Sequence, residues 1–86
     1  MKEFIEYFEE SIKCNFHSRL MKRLKRSEIE LLYSLIEDLK DFEPNERAKK
    51  INRLFIDNIP PKTKNHMIIL ELLISANSKA YREFYE

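Results

Sequence analysis

Eight consecutive residues, Met67 to Ile74, carry a single charge, Glu71, and no other stretch comes as close to being apolar at every position. A segment with almost no polar face must be packed by neighbours on several sides. It is far too short to span a bilayer, which takes about 20 apolar residues. Periodicity alone leaves helix and buried strand open for so short a run. No second segment reads as a partner strand, and a lone strand cannot satisfy its own backbone. The run is therefore expected to be the central helix of a small bundle, spanning Thr63–Ile74.

Composition supports helices. The chain of 86 residues contains no glycine, which excludes glycine-rich phosphate loops and disfavours primed hairpin turns. Hydrophobic residues at 43% and charged residues at 36% fit one soluble globular domain, residues 1–86, with a modest core. The single cysteine, Cys14, rules out an internal disulfide framework and points to a reducing, cytoplasmic setting. No signal peptide or membrane-spanning run is expected, and no membrane association.

Helical spacing continues along the chain. From Lys2 to about Leu24, apolar residues fall mostly four apart (Phe4, Phe8, Ile12, Phe16, Leu20, Leu24). That step drifts around a straight helix, so a bend near Asn15–Ser18 is expected. Ser27-Glu-Ile-Glu30 has the form of a capping box opening a second helix, with Ile29, Leu32, Ile36 and Leu39 on one face and Leu31 and Leu35 beside it. Phe42-Glu-Pro44 ends that helix, and Pro44 suits the first turn of a third, with Ala48, Ile51, Leu54 and Phe55 inward. Asn58 is a candidate left-handed cap, Pro60-Pro61 a break, and Asn77-Ser78 the end of the central helix and the cap of a fifth, Lys79–Glu86.

The chemical candidates are few. Cys14 and His17 lie three apart, but no CxxC or HxxxH supplies the remaining zinc ligands. The expectation is a buried thiol beside a surface histidine, since free cysteine packs as a small hydrophobe. Cys14 as nucleophile with His17 as base would need an orienting third group and an exposed site, and no motif indicates either. The carboxylate pairs Glu9-Glu10 and Glu37-Asp38 read as solvated helix faces. No catalytic residue, cofactor or metal is expected, and the chain is read as a non-enzyme.

Charge is more informative. The net value of +1 hides segregation: residues 1–26 carry +3, 27–46 carry −6, 47–65 carry +5 and 66–86 carry −1. Such a surface suits a complementary protein, including a second copy of the chain, better than a polyanion. A helix-turn-helix reading would put Ser27–Leu39 in a DNA groove, where its acidic residues would be repelled.

The order of segments also carries a likeness. A basic-ended helix is followed by Ser27-Glu-Ile-Glu-Leu-Leu-Tyr-Ser-Leu-Ile-Glu-Asp-Leu39, then Glu46-Arg-Ala-Lys-Lys-Ile51, Met67-Ile-Ile-Leu-Glu-Leu-Leu73 and Ala80-Tyr-Arg-Glu-Phe-Tyr85. This resembles the caspase recruitment domain (CARD) of the death-fold superfamily. In that family an aliphatic pair, here Leu72 and Leu73, ends the fourth helix. A polar turn, here Ser75–Ser78, leads into a fifth helix with the pattern matched by Ala80, Tyr81 and Phe84. The resemblance implies a six-helix or truncated Greek-key bundle without enzymatic activity, acting as a cytosolic adaptor in apoptotic or inflammatory signalling. It also implies homotypic docking of a basic face, Arg19, Lys22, Arg23, Lys62 and Lys64, on an acidic face, Glu30, Glu37, Asp38, Asp41 and Glu43. The expectation as a whole is an all-α, death-fold-like domain, a small antiparallel bundle of five or six helices. It would bind a similar helical domain, homo-oligomerisation included, with no role for nucleic acid. The competing readings are a small helical regulator or inhibitor of phage or bacterial immunity type, and a helix-turn-helix nucleic-acid binder.

Overall fold

The computed structural model describes residues 2–57 and 65–86, with Phe55 described by its backbone alone. The protein is an all-α bundle of five helices among those residues: α1 Phe4–Ser11, α2 Asn15–Lys22, α3 Arg26–Leu39, α4 Pro44–Ile56 and α5 His66–Tyr85. α5 is the spine. It packs most extensively on α1 and α4 and also touches α2 and α3.

The core follows the apolar pattern. Ile68, Ile69, Leu70, Leu72, Leu73 and Ala76 of α5 are buried with Phe4 and Phe8 of α1, Leu32, Ile36 and Leu39 of α3, and Ile51 of α4. The central run is buried on most of its circumference. Met67 and Ile74, 54% and 47% exposed, leave one open stripe beside Glu71.

Four expectations are corrected. The first segment breaks at Ile12–Cys14, earlier than the expected bend, because Cys14 turns extended (φ −74°, ψ 150°) and caps a new helix. The restart rotates the apolar face, so Phe16 is 61% exposed while Leu20 and Met21 pack on the core. Next, the start of α3 lies two residues ahead of the Ser27–Glu30 box: the Lys25 backbone N–H donates to Glu28 Oε1 at 2.7 Å. Glu28 is buried, and Asn65 Nδ2 donates to the same oxygen at 2.9 Å. This ties the start of α3 to the start of α5.

The third correction concerns Asn77-Ser78, which ends nothing. α5 runs unbroken through it for 20 residues, so the polar turn and the separate fifth helix expected there are both helix. Asn77 is buried on the core side of α5, between Ala76 and Ala80. Its side chain is occupied, accepting from Arg47 Nη1 at 3.1 Å and donating to the Pro44 carbonyl at 3.0 Å. A side chain so engaged does not compete for its own backbone. The fourth reverses Cys14 and His17: the thiol is exposed and the histidine is the more buried of the two. Pro44 does open α4 as expected. Asn58, Pro60-Pro61 and Thr63 lie outside the described residues.

Candidate functional site

Arg47 is what joins α3, α4 and α5. At α3's end the last carbonyls lack helical partners. The Arg47 guanidinium supplies donors, Nε to the Leu39 carbonyl at 3.0 Å and Nη2 to those of Phe42 at 2.7 Å and Lys40 at 3.4 Å. Its carbon also stacks 4.1 Å from the Phe4 ring centroid. Arg47 is only 5% exposed, and burial pushes its pKa down from the usual arginine value. A cation at a helix C-terminus is favoured by the macrodipole. The guanidinium is therefore satisfied without a carboxylate. It forms the floor of an open cleft of about 750 Å³ whose lip includes Phe42 and Phe84. These bonds make Arg47 structural.

The charged faces lie on consecutive helices. Arg19 and Lys22 are exposed on one side of α2, with Arg23 at its C-cap, and none of the three makes an ion pair among the described residues. Lys62 and Lys64 lie outside those residues. Glu30, Glu37 and Asp38 are exposed on α3, and Asp41 and Glu43 follow in the turn to α4. Arg26 approaches Glu30 at 3.6 Å and Lys40 holds Glu37 at 2.6 Å, so both acids are locally matched. Asp38, Asp41 and Glu43 make no such pair among the described residues. Tyr33, on the same side of α3, is 40% exposed with its ring edge-on to Phe8 at 5.5 Å. The structure thus places a basic group and an acidic group on adjoining helices with an aromatic within the acidic one.

A third arrangement lies on another side of α5. Cys14 Sγ sits 2.8 Å from His17 Nδ1, and His17 Nε2 lies 3.3 Å from Glu71 Oε2. The His17 backbone N–H also donates to Cys14 Sγ at 3.5 Å. That N–H, followed by the ring, holds the thiol below its usual pKa. Burial pushes the imidazolium down, but hydrogen bonds with Cys14 and Glu71 outweigh it and leave the ring above its usual value. Sequence reasoning lacked the third group. Its one signal was that Glu71 is the only charge in the central run.

At the end of α5, Tyr81, Phe84 and Tyr85 are each between 39% and 47% exposed, and the Tyr85 ring lies tilted against Tyr81 and edge-on to Phe84. Tyr7 Oη donates to Glu83 Oε2 at 2.7 Å, which pins this end to α1. Among the described residues, no group of three His, Cys, Asp or Glu side chains is placed to hold a metal ion. No helix there is long and apolar enough to cross a membrane. Comparison with protein-family models, curated proteins and solved structures finds no match.

Proposed function

We propose that the chain is a cytosolic protein-docking module that assembles with a similar helical domain, its basic α2 side meeting an acidic α3 side. This is the homotypic signalling-adaptor role that the likeness to caspase recruitment domains implies. The observation that carries it is the unmatched charge on adjoining helices: Arg19, Lys22 and Arg23 on one, Asp38, Asp41 and Glu43 on and after the other. Like charges held side by side repel, and an opposed partner surface relieves that repulsion. The unbroken α5 removes the polar turn that the likeness placed at Ser75–Ser78, so the charge pattern of α2, α3 and the turn after α3 carries the docking proposal.

Charge reversal tests it cleanly, because the Arg23 and Asp38 side chains are exposed and make no hydrogen bond or ion pair among the described residues. Arg23→Glu and Asp38→Lys should each leave stability within about 0.5 kcal/mol. Each alone should weaken self-association, followed by sedimentation of the full chain, by about tenfold or more. An equimolar mixture should regain one heterologous contact where the two positions oppose each other. Raising salt from about 0.05 to 0.5 M should weaken the wild-type complex, since the screening length is roughly 10 Å at 0.1 M. Salt sensitivity is shared with nucleic-acid binding, so Asp38→Lys discriminates. A variant that self-associates as well as wild type, yet binds duplex DNA more tightly, would overturn the docking proposal.

A further inference from the structure

We propose that Cys14 is a thiol-exchange site, whose thiolate attacks a small disulfide bearing carboxylates and holds it as a mixed disulfide in the cleft between α1, α2 and α5. The cleft, of about 410 Å³, is lined by Cys14, His17 and Glu71 together with Glu10, Lys79 and Arg82. The start of α2 supplies a nucleophile and a base, and α5 supplies Glu71, which orients the base, the constellation that activates a thiol. Cys14 is exposed and caps α2, so its sulfur faces a helix N-terminus where the dipole favours an anion.

The protonation logic follows from the distances. With its Nε2–H donating to Glu71, the neutral ring offers Nδ1 as acceptor to the Cys14 S–H. Transfer of that proton leaves an imidazolium that donates from both nitrogens, to the thiolate and to the carboxylate. The thiolate then forms an S–S bond with one sulfur of the reagent as the reagent's own S–S bond breaks. The bonding pair departs on the second sulfur as a free thiolate. The Cys14 sulfur passes from thiol to disulfide level as the departing sulfur passes from disulfide to thiol level, so the exchange needs no further oxidant.

The cleft's charge selects the reagent. The titratable and charged groups lining the cleft with the sulfur are Glu10 from α1, His17 from α2, and Glu71, Lys79 and Arg82 from α5. Glu10 is held by Lys2 at 2.7 Å and Glu71 by His17. Lys79 and Arg82 make no ion pair among the described residues. Lys79 and Arg82 are thus the rim cations left to meet a reagent's carboxylates. This inference is independent of the docking proposal, which uses other residues.

The chain has one cysteine, so every adduct reports Cys14. Alkylation by iodoacetamide across pH should show a midpoint below that of the same chain unfolded in urea, where a free thiol titrates near ~8.5. His17→Gln should return the midpoint toward the unfolded value and slow disulfide exchange at pH 7 about three- to tenfold. Glu71→Gln should also slow exchange with dithiobis(nitrobenzoate), although it removes a negative charge that repels this dianion. Lys79→Ser with Arg82→Ser should slow dithiobis(nitrobenzoate) on the order of tenfold at low salt, with neutral dithiodipyridine unaffected. A folded wild-type midpoint at or above the urea value overturns the proposal, whether or not the variants fold. So does a folded His17→Gln with an unmoved midpoint. An unchanged ratio of anionic to neutral rates in the double variant overturns the assignment to carboxylate-bearing disulfides.

Discussion

Arg47→Ala should destabilise the domain by about 3–5 kcal/mol, the largest effect expected of any polar substitution in the chain. The change strips donors from the carbonyls of Leu39 and Phe42 and from Asn77 Oδ1. A buried acceptor left without a partner costs about 1–3 kcal/mol, and water reaching the exposed turn at residues 40–43 recovers only part of that loss. The stack on Phe4 goes as well. For a domain of this size total stability is about 5–10 kcal/mol, so the variant should be marginal by urea denaturation followed by circular dichroism. Arg47→Lys should recover little of the loss, because one ammonium cannot span acceptors set out for a planar fork. A denaturation curve within about 1 kcal/mol of wild type would show that the guanidinium is replaceable by solvent.

Leu73→Ala should cost about 2–5 kcal/mol, the range for emptying a packed site. Leu73 is fully buried at the centre of α5, and Leu70, 2% exposed, should behave alike. Met67→Ala and Ile74→Ala lie on the same helix but on its open stripe, and about 1 kcal/mol or less is expected of each. The contrast between the two pairs in thermal melts matters more than any single value. Equal effects would mean that α5 does not present one closed face and one open stripe.

The elements set by apolar spacing were legible in the chain. α3 buries Leu32, Ile36 and Leu39 and half-buries Ile29, Leu31 and Leu35, as a 3.6-residue period requires. Pro44 marks the start of α4 because its fixed backbone angle and missing N–H suit a first turn. What stayed hidden depended on partners distant in sequence. Asn77 looked like a helix breaker because asparagine ordinarily competes for nearby backbone. Its actual partners, Arg47 and Pro44, lie about thirty residues away. Arg47 drew no reading of its own, because nothing local announces that α3 will end with its carbonyls aimed at it.

The candidate sites divide in the same way. The charge segregation of α2 and α3 could be counted directly. The Cys14–His17–Glu71 line could not, since Glu71 lies 54 positions from His17. The break at Ile12–Cys14 also had to turn the chain before the thiol faced solvent instead of the core.

The pairing of α1 with α5 sets an order of events when the chain is made. Among the described residues the most extensive helix packing joins α1 to α5, and Tyr7 finds Glu83 across 76 residues. A nascent chain emerging from the ribosome with α1 to α4 already outside still lacks the surface on which Phe4, Phe8 and Ile51 close. Those apolar faces stay open to chaperones until α5 follows. Contacts so distant in sequence also slow closure relative to a bundle built from neighbouring hairpins. Helices as short as α1 and α2, eight residues each, are marginal alone, so the folded state arrives late, with the residues of α5.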